Sequence, residues 1–65
     1  MMAIEIQKIM LDKGLKKKEV ADRCGWTQAN FGNKLKRDNF SERELNTIAT
    51  ALDMNLEIKF VDKEY

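Results

Sequence analysis

Hydrogen-bonding side chains cluster in a short stretch that starts at Thr27, and their types suit recognition more than catalysis. Gln28, Asn30 and Asn33 carry amides, which both donate and accept hydrogen bonds, and Lys34 adds a cation. If the stretch is helical, these side chains lie on one protruding face. A helix face of amides and lysines suits the edges of the bases in the DNA major groove.

The residues around this stretch predict two short helices that cross at a tight turn. Ala21 has almost no side chain, so a second helix can approach its backbone. Gly25, four positions later, can adopt the left-handed conformation that a sharp helix exit needs. Phe31, six positions further on, is expected to fill the crossing. We therefore predict a helix-turn-helix over residues 17–35.

Charge is unevenly distributed along the chain, although the net charge is only +1. Residues 13–37 hold eight basic and two acidic residues, which gives a local charge of +6. From residue 41 onward six acidic residues face three basic ones, which gives −3. A basic segment that coincides with a helix-turn-helix pattern favours phosphate contacts over a merely solvated surface.

Composition limits the function classes. The 65 residues are enough for one domain, 1–65, and this domain has no histidine and a single cysteine. We expect no metal site, no cofactor and no enzymatic activity, because the chain offers no soft-ligand cluster, no phosphate-binding glycine loop and no apolar carboxylate pair. The N-terminal residues read as neither a signal peptide nor a membrane span, so we expect a cytoplasmic protein without membrane contact.

Hydrophobic periodicity predicts four helices. The first covers about residues 4–13 and stops at Gly14, the second covers residues 17–23, and the third starts after a Thr27 cap and buries Phe31 and Leu35. The fourth starts at the capping-box sequence 41–44, in which Ser41 precedes Glu44 by three residues.

The period changes after the fourth helix. Residues 56–61 begin with alternating apolar and polar side chains, which predicts a half-buried β-strand. A lone strand leaves its backbone groups unpaired. It could pair with its copy in a second subunit, or with residues 2–6 in an extended form, and we favour the first. The dimer interface would then contain Leu56, Ile58 and Phe60.

Residues 7–52 resemble the Cro and phage-repressor class of bacterial regulators, also called the xenobiotic-response-element type. The resemblance rests on Ala21, Gly25 and Phe31, although the class commonly has an aliphatic residue where Phe31 stands. It also has Ser-Gln at the start of the second helix, where this chain has Lys16 and Lys17. The resemblance implies a mostly α, compact, four-helix repressor-like domain, here with one C-terminal β-strand that pairs across a dimer.

Such a domain would be a sequence-specific DNA-binding transcriptional regulator, a repressor of bacterial or mobile-element origin, that reads the major groove with its third helix. Its partner would be double-stranded DNA with an inverted-repeat operator, bound by a homodimer without a small-molecule effector. Four residues of the third helix are expected to contact bases: Gln28, Ala29, Asn30 and Asn33. Five residues are expected to contact phosphates: Lys17, Thr27, Lys34, Lys36 and Arg37.

Some features have other interpretations. Cys24 and Trp26 flank the turn glycine, and we interpret both as packing residues in preference to a redox sensor or a base-stacking platform. The acidic C-terminal part keeps open a repressor-like module that binds a protein, as a phage-type antagonist does. Steep salt dependence of DNA binding would favour the regulator.

Overall fold

The computed structural model describes residues 2–58, 60 and 62–63. Four helices follow one another along the chain: α1 (Met2–Lys13), α2 (Lys17–Cys24), α3 (Gln28–Arg37) and α4 (Glu42–Ala51). All four were predicted from the sequence, with two differences in bounds: α2 ends one residue after the predicted end, and α1 begins two residues before the predicted start. The backbone N–H of Ala3 donates to the Asp38 carboxylate at 2.9 Å. A carboxylate at a helix N-terminus satisfies a free amide and complements the helix dipole, which explains the earlier start.

The turn between α2 and α3 has the predicted geometry. Gly25 has φ 77° and ψ 24°, the left-handed conformation. The N–H of Gly25 donates to the Asp22 carbonyl at 3.1 Å, and the N–H of Trp26 donates to the Ala21 carbonyl at 2.9 Å. This pair of bonds is a Schellman motif, which ends a helix sharply. The Thr27 hydroxyl then accepts from the Asn30 N–H at 3.0 Å, so the predicted cap of α3 is confirmed.

The core lies where α2 packs against α3 and α4, and α1 adds buried residues to the same cluster. Val20, Ala21 and Phe31 are fully buried, and Ile48 of α4 is 2% exposed. Phe31 therefore fills the crossing beside Ala21, as the spacing predicted. The other buried apolar residues are Ala3, Ile6, Met10, Leu35, Ala51 and Leu52.

The capping box at the start of α4 is also confirmed. The Ser41 hydroxyl accepts from the Glu44 N–H at 3.1 Å, and the Glu44 carboxylate accepts from the Ser41 N–H at 2.9 Å. Two free amides of the first turn are satisfied in this way, which fixes where α4 begins.

The segment after α4 differs from the prediction. Residues 54–58, 60 and 62–63 form neither helix nor strand, while positions 59 and 61 of the predicted strand lie outside the described residues. A strand needs a partner for its backbone ladder, and the described part of this single chain provides none. The alternative pairing with residues 2–6 is wrong, because those residues form the first turns of α1. Pairing across a dimer stays a prediction.

Among the described residues, no helix is long and apolar enough to cross a membrane; the longest, α1, has 12 residues.

Candidate nucleic-acid interface

The outer face of α3 is exposed because its inner face is anchored in the core. Phe31 and Leu35, one turn apart, are buried on the inner side. The four predicted base-contacting residues are all exposed on the helix: Gln28, Ala29, Asn30 and Asn33. Within the described part of the chain, no hydrogen bond engages the three side-chain amides of this set. Their donors and acceptors are therefore free to meet an external hydrogen-bonding surface.

The four predicted base-contacting residues lie in the first two turns of α3. Gln28 and Ala29 stand in the first turn, directly after the Thr27 cap. Asn33 lies one turn later, four residues after Ala29, so the two share a face. Asn30 lies three residues before Asn33 and borders the same face.

A shallow cleft brings one predicted phosphate contact next to a predicted base contact. Lys17 of α2 and Gln28 of α3 line this cleft together with Gln7 and Leu11 of α1. The Gln28 amide and the Lys17 ammonium thus lie on the same side of the molecule. Gln7 was not predicted as a site residue, and no local pattern identifies it, because its position follows from the packing of α1.

The other predicted phosphate contacts differ in how free they are. Lys36 and Arg37 are exposed at the C-terminal end of α3. Thr27 is also exposed, and its oxygen already accepts the cap bond from Asn30, so its O–H remains as a donor.

Lys34 is engaged within the protein. Its ammonium forms an ion pair with the Glu44 carboxylate at the start of α4, and each of the two side chains is 26% exposed. The same ammonium lies 5.3 Å from the centroid of the Trp26 ring. The hydrogen bond from Lys34, followed by that from the Ser41 backbone, lowers the pKa of Glu44 to about 2. This cluster of Trp26, Lys34 and Glu44 was not predicted from the sequence.

Trp26 and Cys24 occupy packing positions beside the turn. The Trp26 and Phe31 rings lie 6.1 Å apart between centroids and are tilted by 41°, an arrangement favourable for aromatic pairs. Cys24 is half-buried, its thiol lies 3.9 Å from the Thr47 carbonyl oxygen, and burial raises its pKa. A raised pKa keeps the thiol protonated and less reactive, which agrees with a packing role.

The predicted dimer-interface residues differ in how exposed they are. Leu56 is half-buried and lines an apolar groove between α1 and α4. Ile58 is 62% exposed and Phe60 is fully exposed, so the single chain leaves two large apolar side chains in solvent.

Comparison with known proteins shows the family to which the chain belongs. A family model described as a helix-turn-helix domain matches residues 1–60, nearly the whole chain. No curated protein and no solved structure matches the chain in these comparisons. The matched span contains the two crossing helices, the Gly25 turn and the exposed face of α3. The chain therefore belongs to the helix-turn-helix domain family.

Proposed function

We propose that this protein is a sequence-specific DNA-binding transcriptional regulator of the Cro and phage-repressor type, a repressor of bacterial or mobile-element origin. The single observation that carries the proposal is the exposed face of α3, whose side-chain amides have no partner in the described chain, on a helix anchored by Phe31. A polar helix face held rigidly away from the core is the arrangement that major-groove reading requires.

The proposed base contacts follow from side-chain chemistry. Gln28 can pair with adenine through two hydrogen bonds, and the methyl group of Ala29 can contact a thymine methyl. Asn30 and Asn33 can each bond either a base edge or a phosphate. Because Gln28 and Ala29 begin α3, we expect them to enter the groove most deeply.

The proposed phosphate contacts flank this face. Lys17 starts α2 and lines the same cleft as Gln28, while Lys36 and Arg37 end α3. Thr27 offers its hydroxyl proton, and Lys34 offers an ammonium that it shares with Glu44. These contacts supply affinity and orientation without sequence information.

Selection from a pool of random double-stranded DNA tests the proposal. We expect enrichment of one motif arranged as an inverted repeat, with half-site centres about one helical turn apart, roughly 34–36 Å. The parent protein should show binding that weakens steeply as salt rises. The absence of any enriched motif, with DNA binding no stronger than that of an unrelated protein of equal charge, would reject the proposal.

We also propose that the protein acts as a homodimer held together by a two-stranded ribbon of residues 56–61. The support is the alternation of this segment and the exposure of Ile58 and Phe60 in the single chain. In an antiparallel pair of copies the two segments would cover each other's apolar faces and satisfy each other's backbone groups.

An Ile58→Pro variant tests the ribbon, because proline removes a backbone donor and blocks central strand geometry. We expect it to sediment as a monomer and to lose specific DNA binding, although no DNA-facing residue has changed. The matched control is Asp62→Pro, which lies just past the segment and should remain dimeric. Sedimentation of the parent as a monomer at tens of micromolar would overturn the ribbon.

A second candidate function is a repressor-like module that binds another protein. The exposed Ile58 and Phe60 next to an acidic C-terminal part favour it, because apolar residues with a charged surround are typical of protein interfaces. Measuring DNA binding at several salt concentrations separates the two candidates, because a protein-binding module would show no salt-dependent binding to DNA. Both candidates act by binding in the cytoplasm, with no catalytic step, cofactor or small-molecule effector.

A further inference from the structure

The ion pair between Lys34 and Glu44 lies beside the face of α3 that we propose for DNA. Lys34 stands one residue after Asn33 and two residues before Lys36 on the same helix. Its ammonium would be within reach of a nearby phosphate if it were free. In the structure it lies against the Glu44 carboxylate and over the Trp26 ring instead.

Glu44 is fixed in place by a second interaction. One oxygen of its carboxylate accepts from Lys34, and the other accepts from the Ser41 N–H at 2.9 Å in the capping box of α4. The carboxylate therefore cannot follow the lysine toward another anion without breaking the helix cap. The ammonium also lies over the Trp26 ring, whose negative face attracts a cation.

We propose that Glu44 is a positioning residue that keeps Lys34 within the protein, so that this lysine adds less than a full phosphate contact when α3 binds DNA. The inference rests on the proposed DNA-binding function and deepens it. DNA affinity is then set by two opposing charges, the lysine that could contact the backbone and the carboxylate that competes for it. Glu44 acts through Lys34 and does not itself contact DNA.

Glu44→Gln is the informative variant, because glutamine retains the carbonyl acceptor that the capping box needs while losing the charge. The matched control is Glu42→Gln, which changes the net charge equally, in the first turn of the same helix. Glu42 is exposed and has no ion pair in the described chain. The difference in DNA affinity between these two variants measures the effect of the Lys34–Glu44 ion pair apart from the effect of the net charge.

The measurement is the dependence of DNA affinity on salt, with the selected site and with a random-sequence duplex. Relative to Glu42→Gln, we expect Glu44→Gln to steepen the slope of log affinity against log salt by up to about 0.9, equally for both DNAs. The affinity ratio of the two variants would then rise by up to roughly 3.5-fold between 200 and 50 mM salt. Adding Lys34→Met to Glu44→Gln should abolish the gain.

A readout in the free protein checks the pair independently of DNA. Trp26 is the only tryptophan in the chain, so its fluorescence reports on the ammonium above its ring. Glu44→Gln and Lys34→Met should each change its emission, and Glu42→Gln should not. Emission unchanged in both variants would overturn the inference.

The outcomes distinguish this inference from the proposed function. Equal salt slopes for Glu44→Gln and Glu42→Gln, or a shallower slope for Glu44→Gln, would overturn the inference and leave DNA binding intact. A parent protein without salt-dependent DNA binding would overturn the proposed function, and the inference with it.

Discussion

Substituting Gly25 and Gly32 in turn should change stability in opposite directions, although both sites have room for a methyl group. An added Cβ would meet no atom within 4 Å at either position. Gly25 has φ +77° in the turn between α2 and α3, whereas Gly32 lies inside α3. The two substitutions therefore separate backbone conformation from steric fit.

The magnitudes follow from the backbone. A left-handed residue with a Cβ costs about 1–2 kcal/mol, so Gly25→Ala should lower the free energy of unfolding by that amount. Alanine inside a helix is favoured over glycine by about 0.5–1 kcal/mol, so Gly32→Ala should raise it. In a domain of this size each kcal/mol shifts Tm by about 4–8 °C. We expect Tm to fall by about 4–16 °C for Gly25→Ala and to rise by about 2–8 °C for Gly32→Ala.

Thermal unfolding followed by circular dichroism is the assay. A domain of 65 residues has a total stability of about 3–10 kcal/mol, so both variants should remain folded at room temperature. Gly25→Asn serves as a further control, because asparagine tolerates the left-handed region better than alanine and should lose less. If Gly25→Ala were as stable as the parent, or if both alanine variants shifted Tm in the same direction, the assigned turn would be wrong.

Two further predictions concern charge. The triple variant Lys17→Ala, Lys36→Ala and Arg37→Ala should reduce the slope of log affinity against log salt by about 0.9 per contact, uniformly across DNA sequences; an unchanged slope would mean that these cations face away from DNA. The lowered pKa of Glu44, about 2 against an ordinary 4.5, implies that its contribution to stability is fully present above pH 4.5 and is lost as pH falls toward 2. Between pH 4.5 and pH 2, Tm should fall less for Glu44→Gln than for the parent. An equal fall in Tm for the two proteins would contradict the ion pair.

Local signals in the sequence predicted the central part of the fold. The exit of α2 at Gly25, the cap at Thr27 and the capping box at Ser41 each depend on residues within a few positions of one another. Burial of Phe31 followed from helical spacing. Such features can be read from the sequence because the interacting groups are fixed by one turn of helix.

Contacts between distant residues could not be predicted in this way. The carboxylate of Asp38 caps α1 at Ala3, 35 residues away, and this bond sets the start of the helix. Arg23 donates to the Ala51 carbonyl at 3.0 Å and ties α2 to the end of α4. Each depends on how the helices pack, and neither residue type alone indicates the partner.

The cluster around Lys34 shows the same limit at the candidate site. A lysine in the C-terminal half of a helix is typically solvated or bound to a phosphate, and Lys34 was therefore predicted to contact a phosphate. The loop between α3 and α4 brings Glu44 to it, ten residues later. The strand predicted for residues 56–61 was not observed in the described part of the chain, for a related reason. Alternating apolar and polar residues indicate a half-buried strand, but they do not indicate which chain pairs with it.

The most direct test of the central claim is the affinity of Gln28→Ala for the selected DNA site and for unrelated DNA, measured at the same salt concentration. Gln28 is exposed, begins α3 and has no hydrogen bond within the described chain, so its loss should leave the fold unchanged. We expect binding to the selected site to weaken by about 1–3 kcal/mol while binding to unrelated DNA is nearly unchanged. Equal affinity of Gln28→Ala and the parent for the selected site would contradict the claim that α3 reads the major groove through this face.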